Sequence, residues 1–155
     1  MRQFITGLCA AFALIGVSQV AMAAHEDALV TRTSAHSVTQ TLDRLEAIVR
    51  EKGFTVFARI DHAAGAAKVE RALRPTQLLI FGNPKVGTAL MSSAQSVGLD
   101  LPIRVVAYED LDGTVHLSYT APAALAARHH IGDRDQIVKR MTKALEGFTT
   151  AAAAP

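Results

Sequence analysis

Apolar residues recur at helical spacing at Val38, Leu42, Leu45 and Val49, so one face of that segment is built for burial. Ser37, with Gln40 three residues on, forms a capping box ahead of it, and Gly53 stops it. Residues 29–33 read as a short strand. Residues 54–60 alternate, with Phe54, Val56, Ala58 and Ile60 on one face of a second strand. Asp61 caps a second helix running through Leu73, apolar at Ala66, Val69 and Leu73, until Pro75 ends it.

Residues 77–81 form a nearly unbroken apolar run, the pattern of a central strand covered on both faces. A third helix is expected from Pro84 to about Val97, inward at Val86, Leu90, Ala94 and Val97 and closed by Gly98. Two strands, 103–108 and 114–119, flank a turn whose Asp112-Gly113 marks a hairpin. Thr120 and Pro122 open a short helix. Asp133 caps the last one, which turns Ile137, Met141, Ala144 and Leu145 inward. The alanine-rich residues 148–155 are expected to form a disordered tail.

The order is therefore β-α-β-α-β-α-β-β-α-α. It predicts an α/β fold of the α+β type: one compact domain over 28–147, with a mixed sheet of about five strands packed by helices.

Ahead of this domain lies an apolar run from Phe4 to Val20, preceded by Arg2 and followed by Ala21-Met22-Ala23. That is the build of a secretory signal peptide, 1–23, with a small-x-small cleavage site. The run is short for a membrane anchor and is broken by Thr6, Gly7, Gly16, Ser18 and Gln19. The expected location is periplasmic or secreted, with no membrane attachment after cleavage. Cys9 leaves with the signal, so the mature chain has no disulfide and no thiolate chemistry. Without Arg2 the balance is 15 basic to 14 acidic residues, with no block of like charge. Nucleic acid, which needs a basic stripe, is excluded as a partner.

The stretch FGNPKVGTALM at 81–91, the later Leu99-Asp100-Leu101-Pro102 and the hairpin with Asp112-Gly113 and Tyr119 carry a family resemblance. So do Asp61-His62-Ala63-Ala64, Leu73-Arg74-Pro75-Thr76, and Pro122 with Leu125 and Arg128-His129. In these separated matches, from about Val38 to Met141, the chain resembles the domain of unknown function family 302 (DUF302). The resemblance implies a compact α/β domain, often a homodimer. It implies no catalytic motif.

Chemistry concentrates at the turn Gly82-Asn83-Pro84-Lys85. Asn83 suits an N-cap, and Pro84 suits the first helical position, where its missing N–H costs nothing. Free N–H groups of the first turn, with Lys85 and Thr88, offer donors for an anion. Gly82 allows close backbone approach. The competing reading is a plain helix start with a solvated Lys85, since the Gly-rich cradle of a P-loop is absent.

Gly82, Asn83, Lys85 and Thr88, joined by His62 and Tyr119, are the candidate ligand-binding residues. No catalytic set assembles, because Gly-x-Ser-x-Gly is missing and Asp61 reads as a helix cap beside His62. The expectation is a noncatalytic homodimeric module for a small or anionic ligand, without a cofactor. The alternative is a copper or haem protein using His62, His116 and His129, with Met91 or Met141 as soft ligands. Attachment of c-type haem is excluded, because Cys-x-x-Cys-His is absent. His25 could chelate copper only if cleavage fell after Ala24.

Overall fold

The computed structural model describes residues 28–155. The expected signal peptide 1–23, with Cys9, and His25 lie outside the described residues. Strands β1 (Leu29–Ser34), β2 (Thr55–Asp61), β3 (Thr76–Gly82), β4 (Ile103–Glu109) and β5 (Val115–Thr120) form one sheet in the order β1-β5-β4-β3-β2. Every neighbouring pair is antiparallel. The domain is thus a single α+β unit, and the expected mixed sheet is corrected to an all-antiparallel one.

The connections explain the difference. Helix α2 (His62–Ala67) and helix α3 (Pro84–Met91) each join strands that are neighbours in the sheet. They close opposite ends of the sheet like long hairpins and do not cross its face. Among the strand connections, α1 (Val38–Glu51) alone carries the chain from one edge strand, β1, to the other, β2.

Helix α1 begins at the capping box read from the sequence: the Ser37 hydroxyl accepts from the Gln40 N–H, and the Gln40 side chain accepts from the Ser37 N–H. Its stripe of Leu42, Leu45 and Val49 is fully buried with Leu79, Phe81, Val105 and Leu117 of the sheet. Burial of each such side chain is worth about 1.5–3 kcal/mol. Helix α4 (Pro122–Arg128) leads into α5 (Asp135–Ala153), which lies beside α1 and over β1. Both long helices share one face of the sheet. On the opposite face the cross-strand row Ile60–Leu78–Val106 stays exposed or half-exposed.

Four local expectations change. The helix expected through Leu73 ends at Ala67; Val69 and Leu73 are exposed, so its apolar stripe meets no partner, and an isolated short helix does not hold itself. The helix expected to reach Val97 stops at Met91, and a 3₁₀ turn over Gln95–Leu99 buries Val97 instead. Asp133 does not cap α5, whose first turn has no side-chain cap; its carboxylate accepts the Ser93 hydroxyl.

The fourth is the tail. In place of disorder after 147, α5 continues to Ala153, and Thr149, Ala152 and Ala153 are buried. The physical reason is a set of donors waiting at the helix end. Arg44 donates to the carbonyls of Ala151, Ala152 and Ala154, the Ala35 N–H donates to Ala153, and the His36 ring meets the Ala154 carbonyl at 2.7 Å. These satisfy carbonyls that a helix C-terminus otherwise leaves open.

Strand β2 departs from simple alternation. Val56 pairs with Phe81 and Ala58 with Ile80, leaving Phe57 as the extra residue of a β-bulge. Beyond the bulge the faces exchange. Arg59, and not Ala58 or Ile60, therefore shares the helix-bearing face with Val56. There its guanidinium donates to Gln77, to the Thr39 carbonyl and to Asp43 of α1.

Candidate functional site

A cleft of about 650 Å³ opens where the β3–α3 turn faces α5. Its floor is aromatic and aliphatic: Phe81 and Ile103 from the sheet, with Phe54 edge-on to Phe81 (centroids 6.0 Å apart, 75°) and to Phe148 (5.4 Å, 84°). Such edge-to-face contacts hold rings in fixed orientation. One wall is α3, through Val86, Gly87 and Met91; the other is α5, through Ile137, Met141 and Ala144. Phe57 closes an end. The bulge of β2 therefore re-aims one aromatic side chain at the cleft, a common use of bulges beside binding sites.

Gly82, Asn83, Lys85 and Thr88 all line this cleft. Gly82 lies close against Pro102, where a Cβ would stand 3.4 Å from Pro102 Cβ, in van der Waals contact. The first-turn N–H groups are nevertheless already engaged. The Lys85 N–H donates to Asn83 Oδ1 at 3.0 Å, and Val86 and Gly87 donate to the Asn83 carbonyl, while Pro84 has no N–H. An anion at this helix start would have to displace the protein's own cap. Charge at the cleft comes from Lys85 and from Arg140, the two charged side chains in its lining. Arg140 carried no signal in the sequence, because it reads as the solvent face of an amphipathic helix.

His62 and Tyr119 do not join this group. His62 follows Asp61, at the far end of β2 from the Thr55–Gly82 pair that borders the cleft, about 20 Å away at strand rise. Tyr119 is 2% exposed in the core, and its hydroxyl has no hydrogen-bond partner. Burial raises the pKa of that phenol further above its ordinary value, so it stays neutral.

The histidines are also separate. His116 meets Asp110 at 2.7 Å on the exposed face of the sheet, and His129 meets Asp100 at 2.8 Å beside α4. Among the described residues no three His, Cys, Asp or Glu side chains form a group that could hold a metal ion. The arrangement of His62, His116 and His129 as one ligand set is corrected accordingly: each belongs to a different part of the sheet or its rim.

Asp100, within the Leu99-Asp100-Leu101-Pro102 stretch, is a second polar focus. Its buried carboxylate accepts from Arg104 (3.0 Å), Arg128 (2.8 Å) and His129 Nε2 (2.8 Å), and His129 Nδ1 meets Ser96 Oγ at 2.9 Å. Burial works against the charged form; hydrogen bonds from His129 and Arg128, and then their charges, outweigh it and hold the carboxyl below its ordinary pKa. The connectivity Ser96–His129–Asp100 is that of a nucleophile relay. However, Asp100 shares its charge with two arginines, and Ser96 is not part of the lining of the cleft between α3 and α5. The cluster anchors the segment that carries Leu101, Pro102 and Ile103 to the cleft wall, with a cis bond between Leu101 and Pro102.

Among the described residues no helix is long and apolar enough to cross a membrane. A family model described as "Domain of unknown function DUF302" matches residues 30–148. A protein of Brucella suis biovar 1 (strain 1330) named "Fluoride-specific ion channel FluC 1" is 45% identical over 129 residues, 83% of this chain and 51% of that protein. Its namesake in Brucella abortus biovar 1 (strain 9-941) is 45% identical over 129 residues, covering 83% and 48%. The chain spans about half the length of these curated relatives. A crystal structure of an uncharacterized conserved protein DUF302 from Bacillus stearothermophilus superposes with a TM-score of 0.73 at 20% identity, over 80% of this chain and 97% of that one, which shows the shared fold. With the family model matching 30–148, the whole sheet from Val30 onward and most of α5, the chain belongs to the DUF302 family.

Proposed function

We propose that this protein is a noncatalytic, homodimeric module that binds one small molecule per chain in the cleft between α3 and α5. The observation that carries this reading is the cleft itself, whose size and largely apolar lining with few polar groups match those of small-molecule sites. The name of the longer Brucella relatives belongs to proteins of which the matched 129 residues are about half, and it supplies no activity for this chain.

Uptake of the neutral dye N-phenyl-1-naphthylamine tests the site. Saturable fluorescence enhancement at one dye per chain is expected, and Ala144→Phe, which fills the cleft, is expected to abolish it while circular dichroism stays unchanged. Dye uptake that does not saturate, or that survives Ala144→Phe in a folded protein, removes the reading.

The homodimer reading rests on the uncovered sheet face. Ile60, Leu78 and Val106 form an apolar row there, which is the surface a second copy would cover; a stable interface takes roughly 800 Å² per partner. Sedimentation of the wild type as a dimer and of Ile60→Lys as a monomer is expected; a monomeric wild type at micromolar concentration contradicts it. Export to the periplasm is the accompanying proposal, supported by the Arg2-headed apolar run and Ala21-Met22-Ala23. A mature N-terminus at Ala24 in the periplasmic fraction is the expected result.

A further inference from the structure

We infer that the cleft takes a single-chain amphiphile with a carboxylate head, its chain lying among the cleft aromatics and its head between Lys85 and Arg140. This rests on the reading that the cleft is the binding site.

Charge is the first ground. Lys85 and Arg140 line the cleft and no Asp or Glu does, so its field has one sign. Neither cation has an ion-pair or hydrogen-bond partner for its side chain among the described residues. The contrast with the other arginines is informative. Arg32, Arg44, Arg50, Arg59, Arg74, Arg104, Arg128 and Arg134 all donate to side chains or carbonyls, and of the described arginines only Arg71 and Arg140 do not. Arg140 is the one of these two that faces the cleft. A guanidinium fork and an ammonium lining the same cleft suit a carboxylate, through charge-assisted hydrogen bonds.

The lining excludes the other anion classes. A phosphate held by a helix start needs free backbone N–H groups, and those of α3 are taken by Asn83. A sugar or nucleotide would bury many polar groups against Phe54, Phe81, Ile103, Ile137, Met141 and Phe148, where nothing can pair with them. An unbranched alkyl chain buries only carbon there and leaves one charged end at the rim, where both cations are exposed.

Calorimetric titration of the full chain with dodecanoate, decanoate, dodecanol and inorganic phosphate tests the inference. Dodecanoate is expected to bind at least about tenfold tighter than dodecanol, as charge-assisted pairing requires. Decanoate is expected to bind about fifteenfold more weakly than dodecanoate, since each buried methylene contributes about fourfold. Lys85→Gln with Arg140→Gln is expected to bring dodecanoate and dodecanol to within about twofold, whereas Arg71→Gln, on a surface arginine away from the cleft, leaves the preference intact. Equal affinities in the wild type, or a preference that survives the double variant, overturn the carboxylate inference while dye uptake upholds the cleft. Phosphate binding as tightly as dodecanoate overturns it in favour of a bare anion site. Failure of the dye as well as of every amphiphile overturns both readings.

Discussion

Nε2 of His129 lies 2.8 Å from Oδ2 of Asp100, and the two side chains are 7% and 6% exposed. A buried carboxylate is tolerated there because every donor around it points inward: the imidazole from the end of α4, Arg128 from its last turn and Arg104 from β4. The pair ties the chain between the 3₁₀ turn and β4 to the helix end, and thereby fixes the cleft wall at Leu101 and Pro102.

Asp100→Asn removes the charge and leaves His129 facing a neutral amide. The arginines are half exposed and remain hydrated, so the cost falls at about 3 kcal/mol, the low end for breaking a buried pair. Urea unfolding at neutral pH measures it. A loss below about 0.5 kcal/mol, the size of a surface change, contradicts the anchoring role.

The same group sets part of the acid sensitivity. Its folded pKa lies below the unfolded value of about 3.9, so its contribution is fully present above that pH and disappears as pH falls through the folded value. Asp133, held low first by the Ser93 hydroxyl, and Asp110, held low first by His116, act in the same direction. Stability of the wild type is expected to fall steeply below about pH 4, and the slope for Asp100→Asn to be shallower by up to about one proton. Equal slopes in the two proteins would show that Asp100 is not a linked group.

Ala152→Asp tests the C-terminal end of α5. Ala152 is fully buried, so an added carboxylate is desolvated and too large for its site, and a loss of about 3 kcal/mol or more is expected in thermal or urea unfolding. A disordered segment would show no change.

Deleting Phe57 removes the extra residue of the bulge. Val56 would still face Phe81 and Ala58 would still face Ile80, so the sheet register and the placement of Arg59 are expected to persist. Amide exchange protection in β2 and β3 is expected to stay near wild type, while dye affinity falls by about tenfold with the loss of one aromatic wall. Collapse of protection in β2 would show instead that the bulge is needed for folding.

Tyr119→Phe removes a buried hydroxyl that has no partner. Deleting an unsatisfied polar atom while keeping the ring is expected to leave stability unchanged or raise it by up to about 1 kcal/mol. A loss of more than about 1 kcal/mol would reveal a hydrogen bond, direct or through water, to a neighbour such as Thr149.

Much of this molecule was legible along the chain. The stripe of Val38, Leu42, Leu45 and Val49 with its capping box, the Asp112-Gly113 hairpin, and the Asn83-Pro84 helix start depend on residues within a turn or two of one another. Local periodicity and capping therefore determine them. So did the order of the elements. Tertiary structure decided the rest, because the deciding partners are distant in sequence. Whether 148–155 is helix depends on Arg44 and His36, more than a hundred residues away. Which face Arg59 takes depends on a bulge defined only by pairing with β3. Whether Lys85 borders a site depends on Arg140 and Phe148 arriving from α5. The sequence marked the turn at 82–85 as a place for chemistry; only packing filled its helix-start donors and set an apolar cleft beside them.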